Sequence, residues 1–114
     1  MPRDLKAYFY DIRDACQAVG DFVLNRTYDD YASDRMLRSA VERQFIVIGE
    51  ALLQALRLAP NIANSVSDHR RIVNFRNVLV HGYALVEHET VWGVIVESLP
   101  ILRREVEALM RSSQ

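Results

Sequence analysis

The stretch from His69 to Val86 contains no acidic residue, yet it holds His69, Arg70, Arg71, Arg76 and His81. Arginine presents a planar fork of donors that fits a phosphate or carboxylate through two parallel hydrogen bonds. Histidine is the side chain that exchanges protons near neutral pH. Arg70, Asn74, Asn77 and His81 recur at a spacing that lines them along one face of a helix, while Ile72, Phe75 and Leu79 form the opposite apolar stripe. Arg76 and His81 both fall outside that stripe, so both are expected on the polar side. The residues alone leave two readings open for each. His81 either moves protons or ends a helix by bonding a carbonyl, and Arg76 either grips an anion or is solvated.

The elements that must carry these residues are helical. Four glycines and three prolines punctuate the chain, and no alternating β-branched run flanked by turn residues occurs. Leu5, Tyr8, Phe9, Ile12, Cys16, Val19 and Val23 give a first helix with one buried face. Ser33 or Asp34 can cap a second, running to Ala59 and stopped by Pro60 and Asn61. Its apolar residues, from Leu37 and Val41 through Phe45, Val47 and Ile48 to Leu56, spread wider than the ~100° stripe of a surface helix. Such a helix is either the central element of one chain or part of a subunit interface. Ser67 or Asp68 can cap a third helix ending near Gly82, and a fourth begins near Glu87, with Pro100 expected to kink it between Val96 and Pro100. The expected architecture is an all-α, up-and-down four-helix bundle, one domain over residues 1–114, with helices of about 20, 25, 13 and 24 residues.

Composition narrows the class of function. The 14 basic and 15 acidic residues give a net charge of −1, so no global excess of charge draws the chain to nucleic acid or an anionic membrane. A polyanion partner must be held by a local cluster such as that on the third helix. Of the basic residues only Lys6 is a lysine. The lone Cys16 excludes an internal disulfide and fits a reducing compartment, the cytosol being the default expectation. No run approaches the ~20 apolar residues of a membrane span, and the N-terminal segment is too acidic for a secretion signal. No recognition-helix pattern for DNA is visible. Tyr8, Tyr10, Tyr28, Tyr31 and Trp92 read as core or rim residues.

Arg76-Asn77-Val78-Leu79-Val80-His81-Gly82-Tyr83 is an R-x4-H-x-Y motif at the end of the third of four helices. The second helix carries Ala40-Val41-Glu42-Arg43 and Ile48-Gly49-Glu50-Ala51, and the fourth carries Val91-Trp92 and Leu99-Pro100. Together, from Tyr10 to Leu109, these features resemble the HepT-like toxins of the HEPN superfamily. The chain departs from that pattern at Ser65-Val66-Ser67-Asp68, where many relatives carry Pro-Trp, and at Gly82, where many carry an acidic residue.

The resemblance implies a metal-independent endoribonuclease toxin of a toxin–antitoxin system, working without a cofactor as a homodimer whose two motif copies face one another across a cleft. It implies Arg76 and His81 as catalytic, with Asn77 supporting them, and it implies a minimal nucleotidyltransferase antitoxin that transfers AMP to Tyr83. Arg70 and Arg71 do not match the motif and are candidate RNA contacts only. The competing reading is a noncatalytic helical dimer that binds a nucleotide or a nucleotidyltransferase partner.

Overall fold

In a computed structural model of the chain, residues 3–82 and 86–112 are described; they are helical throughout their regular structure and include no strand. The first helix, α1 (Leu5–Phe22), starts where the Asp4 carboxylate accepts the Ala7 N–H at 2.8 Å. It buries Phe9, Ile12, Ala15, Cys16 and Val19, the stripe expected from their spacing. Asn25, in the left-handed region at φ 60°, turns the chain beyond it.

A short helix, α2 (Tyr28–Ser33), follows, which the periodicity does not reveal. Six residues are too few for an apolar repeat, and what holds them is a reciprocal cap. Thr27 Oγ1 accepts the Asp30 N–H while the Asp30 carboxylate accepts the Thr27 N–H. Asp34, rather than Ser33, then caps α3 (Arg35–Leu58) by accepting the Leu37 N–H at 3.1 Å.

Helix α3 packs on α1, on α2 and on the two elements that follow it, a 3-10 turn (Pro60–Asn64) and α4 (His69–His81). Leu37, Val41, Phe45, Ile48, Ala51, Leu52 and Ala55 are all buried on it, and Val47 and Leu56 pack against the same core. The wide apolar arc is therefore covered within one chain. Its width reflects a central position and carries no argument for a subunit interface.

The ring of Phe75 on α4 meets Phe45 on α3 edge to face, with centroids 5.2 Å apart. Neither Ser67 nor Asp68 caps α4 through its side chain. The Ser67 N–H and hydroxyl instead bond the Glu105 carboxylate, which ties the loop to the last helix. At the other end Gly82 takes the left-handed conformation (φ 61°) and its N–H donates to Val78 O at 3.0 Å, as its place after the last helical turn predicts.

The last helical segment comprises α5 (His88–Gly93), a π turn (Val94–Ser98) and α6 (Leu99–Ser112). The turn before Pro100 is widened, with the Leu99 N–H donating to Val94 O. Such a turn absorbs the backbone bond that Pro100 cannot make. Helix α6 packs on α1, and Tyr31, wholly buried, sits with its ring 5.6 Å from that of Trp92.

Candidate active site

Helix α4 presents its residues in three directions. Ile72 and Phe75 are buried against α3 and its neighbours, while Arg70, Asn74 and His81 are exposed. Arg76 belongs to neither set. Contrary to its expected place on the open polar face, it lies on the flank turned toward α3, with its side chain only 21% exposed.

The reason is a gap in the facing helix. A Cβ on Gly49 would stand 2.1 Å from the Arg76 Cβ and 2.6 Å from its Cγ, so only glycine lets this arginine pass so close to α3. Once there, the guanidinium forms an ion pair with Glu50, the next residue along, and donates to Asn77 Oδ1 at 2.8 Å. The other Glu50 oxygen accepts from Gln54 Nε2 at 3.2 Å. Arg76 is thus fixed from both helices. Its terminal nitrogens each use one hydrogen in these contacts and keep one, and its Nε is buried with no partner among the described residues.

Because Arg76 can only donate, the Asn77 oxygen faces it and the Asn77 amide nitrogen is left as a further donor. His81 is exposed as the last residue of α4, against the left-handed Gly82. Five residues of α-helix separate it from Arg76 by about 7.5 Å along the axis and about 140° around it. The fold brings Arg76, Asn77 and Glu50 together and holds His81 on another flank of the same helix. Arg70 and Arg71 stand at the far end of α4, about 16 Å along the axis from His81, where they line a shallow depression of about 390 Å³ with Ser67, Asp68 and His69. Tyr83 lies outside the described residues.

Arg76 and Glu50 close one end of a groove of about 380 Å³ between α1 and α3. A larger hollow of about 450 Å³ lies on the opposite flank of α1, against α6, and holds none of the motif residues. Its Arg103 is already engaged, by Glu107 at 2.8 Å and by Gln17 at 2.6 Å. Among the described residues no three His, Cys, Asp or Glu side chains gather as a metal ion would require, and no helix is long and apolar enough to cross a membrane.

Gly49, Glu50 and Gln54 were not legible as site residues from spacing. Gly49 and Glu50 belong to the Ile48-Gly49-Glu50-Ala51 segment, but a helical wheel shows one helix at a time and cannot show that Arg76 of another helix crosses there. Chemically, the arrangement offers a held guanidinium with outward donors, an adjacent amide donor and an exposed imidazole one helical turn and a half further on.

Residues 12–109 match the family model for "Ribonuclease HepT-like" proteins. A Methanocaldococcus jannaschii protein named "Putative RNase MJ1380" is 30% identical over 109 residues, covering 92% of this chain and 95% of the relative. A Thermococcus cleftensis protein named "Probable ribonuclease HepT" is 29% identical over 115 residues, covering 97% of this chain and all of the relative. No solved structure matches the chain significantly. The chain belongs to the HepT-like ribonuclease family.

Proposed function

We propose that the protein is a metal-independent endoribonuclease toxin in which Arg76 and His81 carry the chemistry. The observation that supports this most is the fixing of the Arg76 guanidinium by Glu50, Asn77 and the Gly49 gap, on the same helix as an exposed histidine. A donor fork held in place before the reaction stabilises developing phosphorane charge without having to reorganise.

In the reaction, the ribose 2′-oxygen bonds to the adjacent phosphorus and the bond from phosphorus to the 5′-oxygen breaks. The products are a 2′,3′-cyclic phosphate and a 5′-hydroxyl. One imidazole takes the 2′-hydroxyl proton and another protonates the leaving oxygen. Each chain supplies one His81, so a homodimer with its two motifs across a cleft provides both. The exposed apolar side chains Val78 and Val80, on α4 beside His81, favour contact with a second copy. Asn77 orients the phosphate from beside Arg76, and Arg70 and Arg71 extend the contact to RNA phosphates further along the strand.

Control is assigned to a cognate minimal nucleotidyltransferase antitoxin. It would move an adenylyl group from ATP to the Tyr83 oxygen, releasing pyrophosphate, and the added phosphate and purine would then oppose RNA by charge and bulk. Two measurements test these assignments. Adding an excess of His81→Ala protein to a fixed amount of wild type should lower cleavage as subunits exchange, because a mixed dimer holds one imidazole where the reaction needs two, and cleavage unchanged by the excess contradicts the shared site. Mass spectrometry after coexpression with the antitoxin should find AMP on the Tyr83 peptide; an unmodified peptide in a nontoxic complex contradicts the modification.

A further inference from the structure

The groove between α1 and α3 has no part in the cleavage chemistry above, although Arg76 closes one end of it. Its size, about 380 Å³, is within the range of small-ligand sites. Ile46, Val47 and Ala51 give it an apolar lining, and Tyr8 of α1 adds an aromatic ring with the Arg3 guanidinium 5.0 Å from its centroid. Both carboxylates in the groove are already paired, Asp11 with Arg3 and Glu50 with Arg76. Arg43 is exposed and has no ion-pair partner among the described residues, so the groove keeps one uncompensated positive charge. Arg43 stands two helical turns from Glu50 on the same face of α3, about 10 Å along the axis.

An apolar slot beside an aromatic ring, with an arginine at each end, fits a flat heterocycle flanked by two phosphates. We propose that this groove is a nucleotide subsite that seats the nucleoside next to the cleaved phosphate of RNA, its base against Val47, Ile46 and Tyr8 and its outer phosphate on Arg43. The assignment rests on the reading that Arg76 grips the cleaved phosphate. Base stacking of this kind tolerates any base, so the subsite adds affinity and register more than sequence choice.

The test uses a fluorescent RNA oligonucleotide carrying 2′-O-methyl ribose throughout, which lacks the attacking hydroxyl and cannot be cleaved. Binding is followed by anisotropy across a salt series for the wild type, Arg43→Ala and Val47→Trp, with circular dichroism as a check of folding. Arg43→Ala should weaken binding and lower the slope of log affinity against log salt by about 0.7, the loss of one phosphate contact on a single strand. Val47→Trp, which fills the slot, should weaken binding about tenfold or more; should that variant not fold, the Arg43→Ala slope decides alone. A wild-type protein that cleaves RNA while Arg43→Ala keeps its affinity and slope overturns the subsite and leaves the ribonuclease assignment standing. Binding that depends on Arg43 in a protein that cleaves no RNA keeps the groove as a nucleotide-binding site and overturns both the ribonuclease assignment and the place of the groove beside a cleaved phosphate. No binding by the wild type overturns the subsite.

Discussion

The Cβ that Gly49 lacks would overlap the Cβ of Arg76, 2.1 Å away, so the position of the arginine depends on a hydrogen atom in the facing helix. Glycine inside a helix costs about 0.5–1 kcal/mol relative to alanine, and here the close approach of α4 accounts for it. Gly49→Ala should therefore destabilise the fold by about 1–3 kcal/mol, as overpacking does, and lower cleavage by displacing Arg76. Gly20, likewise inside a helix but in α1, has nothing within 4 Å of its own missing Cβ, and Gly20→Ala should stabilise by up to about 1 kcal/mol. Urea unfolding of the two variants checks the contrast; a Gly49→Ala protein as stable as the Gly20→Ala protein would contradict it.

Glu50 holds Arg76 from across the helix interface without itself being placed to move protons. Glu50→Gln keeps the shape and removes the charge, and it should lower kcat about tenfold or more. The pair is part-exposed, with Glu50 44% accessible, so the stability change should stay within about 1 kcal/mol. Arg76→Lys should not substitute for Arg76, since an ammonium cannot reach Glu50, Asn77 and a phosphate as a fork does. Steady-state kinetics of the three proteins decides this, and a Glu50→Gln enzyme with wild-type kcat would remove Glu50 from the site.

Burial pushes the Cys16 thiol up to about 12 from its ordinary value of 9.0. The thiol is then less acidic folded than unfolded, so stability is complete below about pH 9 and is lost as pH rises through the folded value, by at most about 1.4 kcal/mol per unit. The Tyr31 phenol, raised by burial as well, adds to the loss at higher pH. Cys16→Ala should flatten the fall of melting temperature between pH 9 and 11, and native protein at pH 8 should resist iodoacetamide until unfolded. Rapid labelling of the native chain would place Cys16 outside the core.

The reciprocal cap of α2 gives a local prediction. Thr27→Ala removes the acceptor for the Asp30 N–H and should cost about 1 kcal/mol in denaturant unfolding. No change in the unfolding midpoint would mean that α2 is held by Tyr31 and its aromatic neighbours alone.

The long helices were legible because Ile12, Val41, Ile48, Phe75, Leu79, Ile95 and Leu102 repeat at the helical period; six of the seven are buried, and Leu79, near the end of α4, is half-buried against the same core. Helix α2 was hidden because a single turn and a half has no period to read, although Thr27 and Asp30 stood at the spacing of a cap. The π turn escaped because Pro100 announces a lost hydrogen bond without saying how the backbone absorbs it. At the site, residue types and the motif pointed to Arg76, Asn77 and His81. The inward turn of Arg76 depends on Gly49, a relation between two helices that no pattern along one helix contains.

The most direct measurement is cleavage of an end-labelled RNA, in the presence of EDTA, by the wild type, Arg76→Ala and His81→Ala, with the product ends identified. The wild type should cut and leave 2′,3′-cyclic phosphate and 5′-hydroxyl ends. Either alanine variant should lose about a hundredfold or more of the cleavage rate, and His81→Ala should melt as the wild type does. Cleavage abolished by EDTA, or a His81→Ala protein that cuts RNA at the wild-type rate, would contradict the assignment of a metal-independent site built on Arg76 and His81.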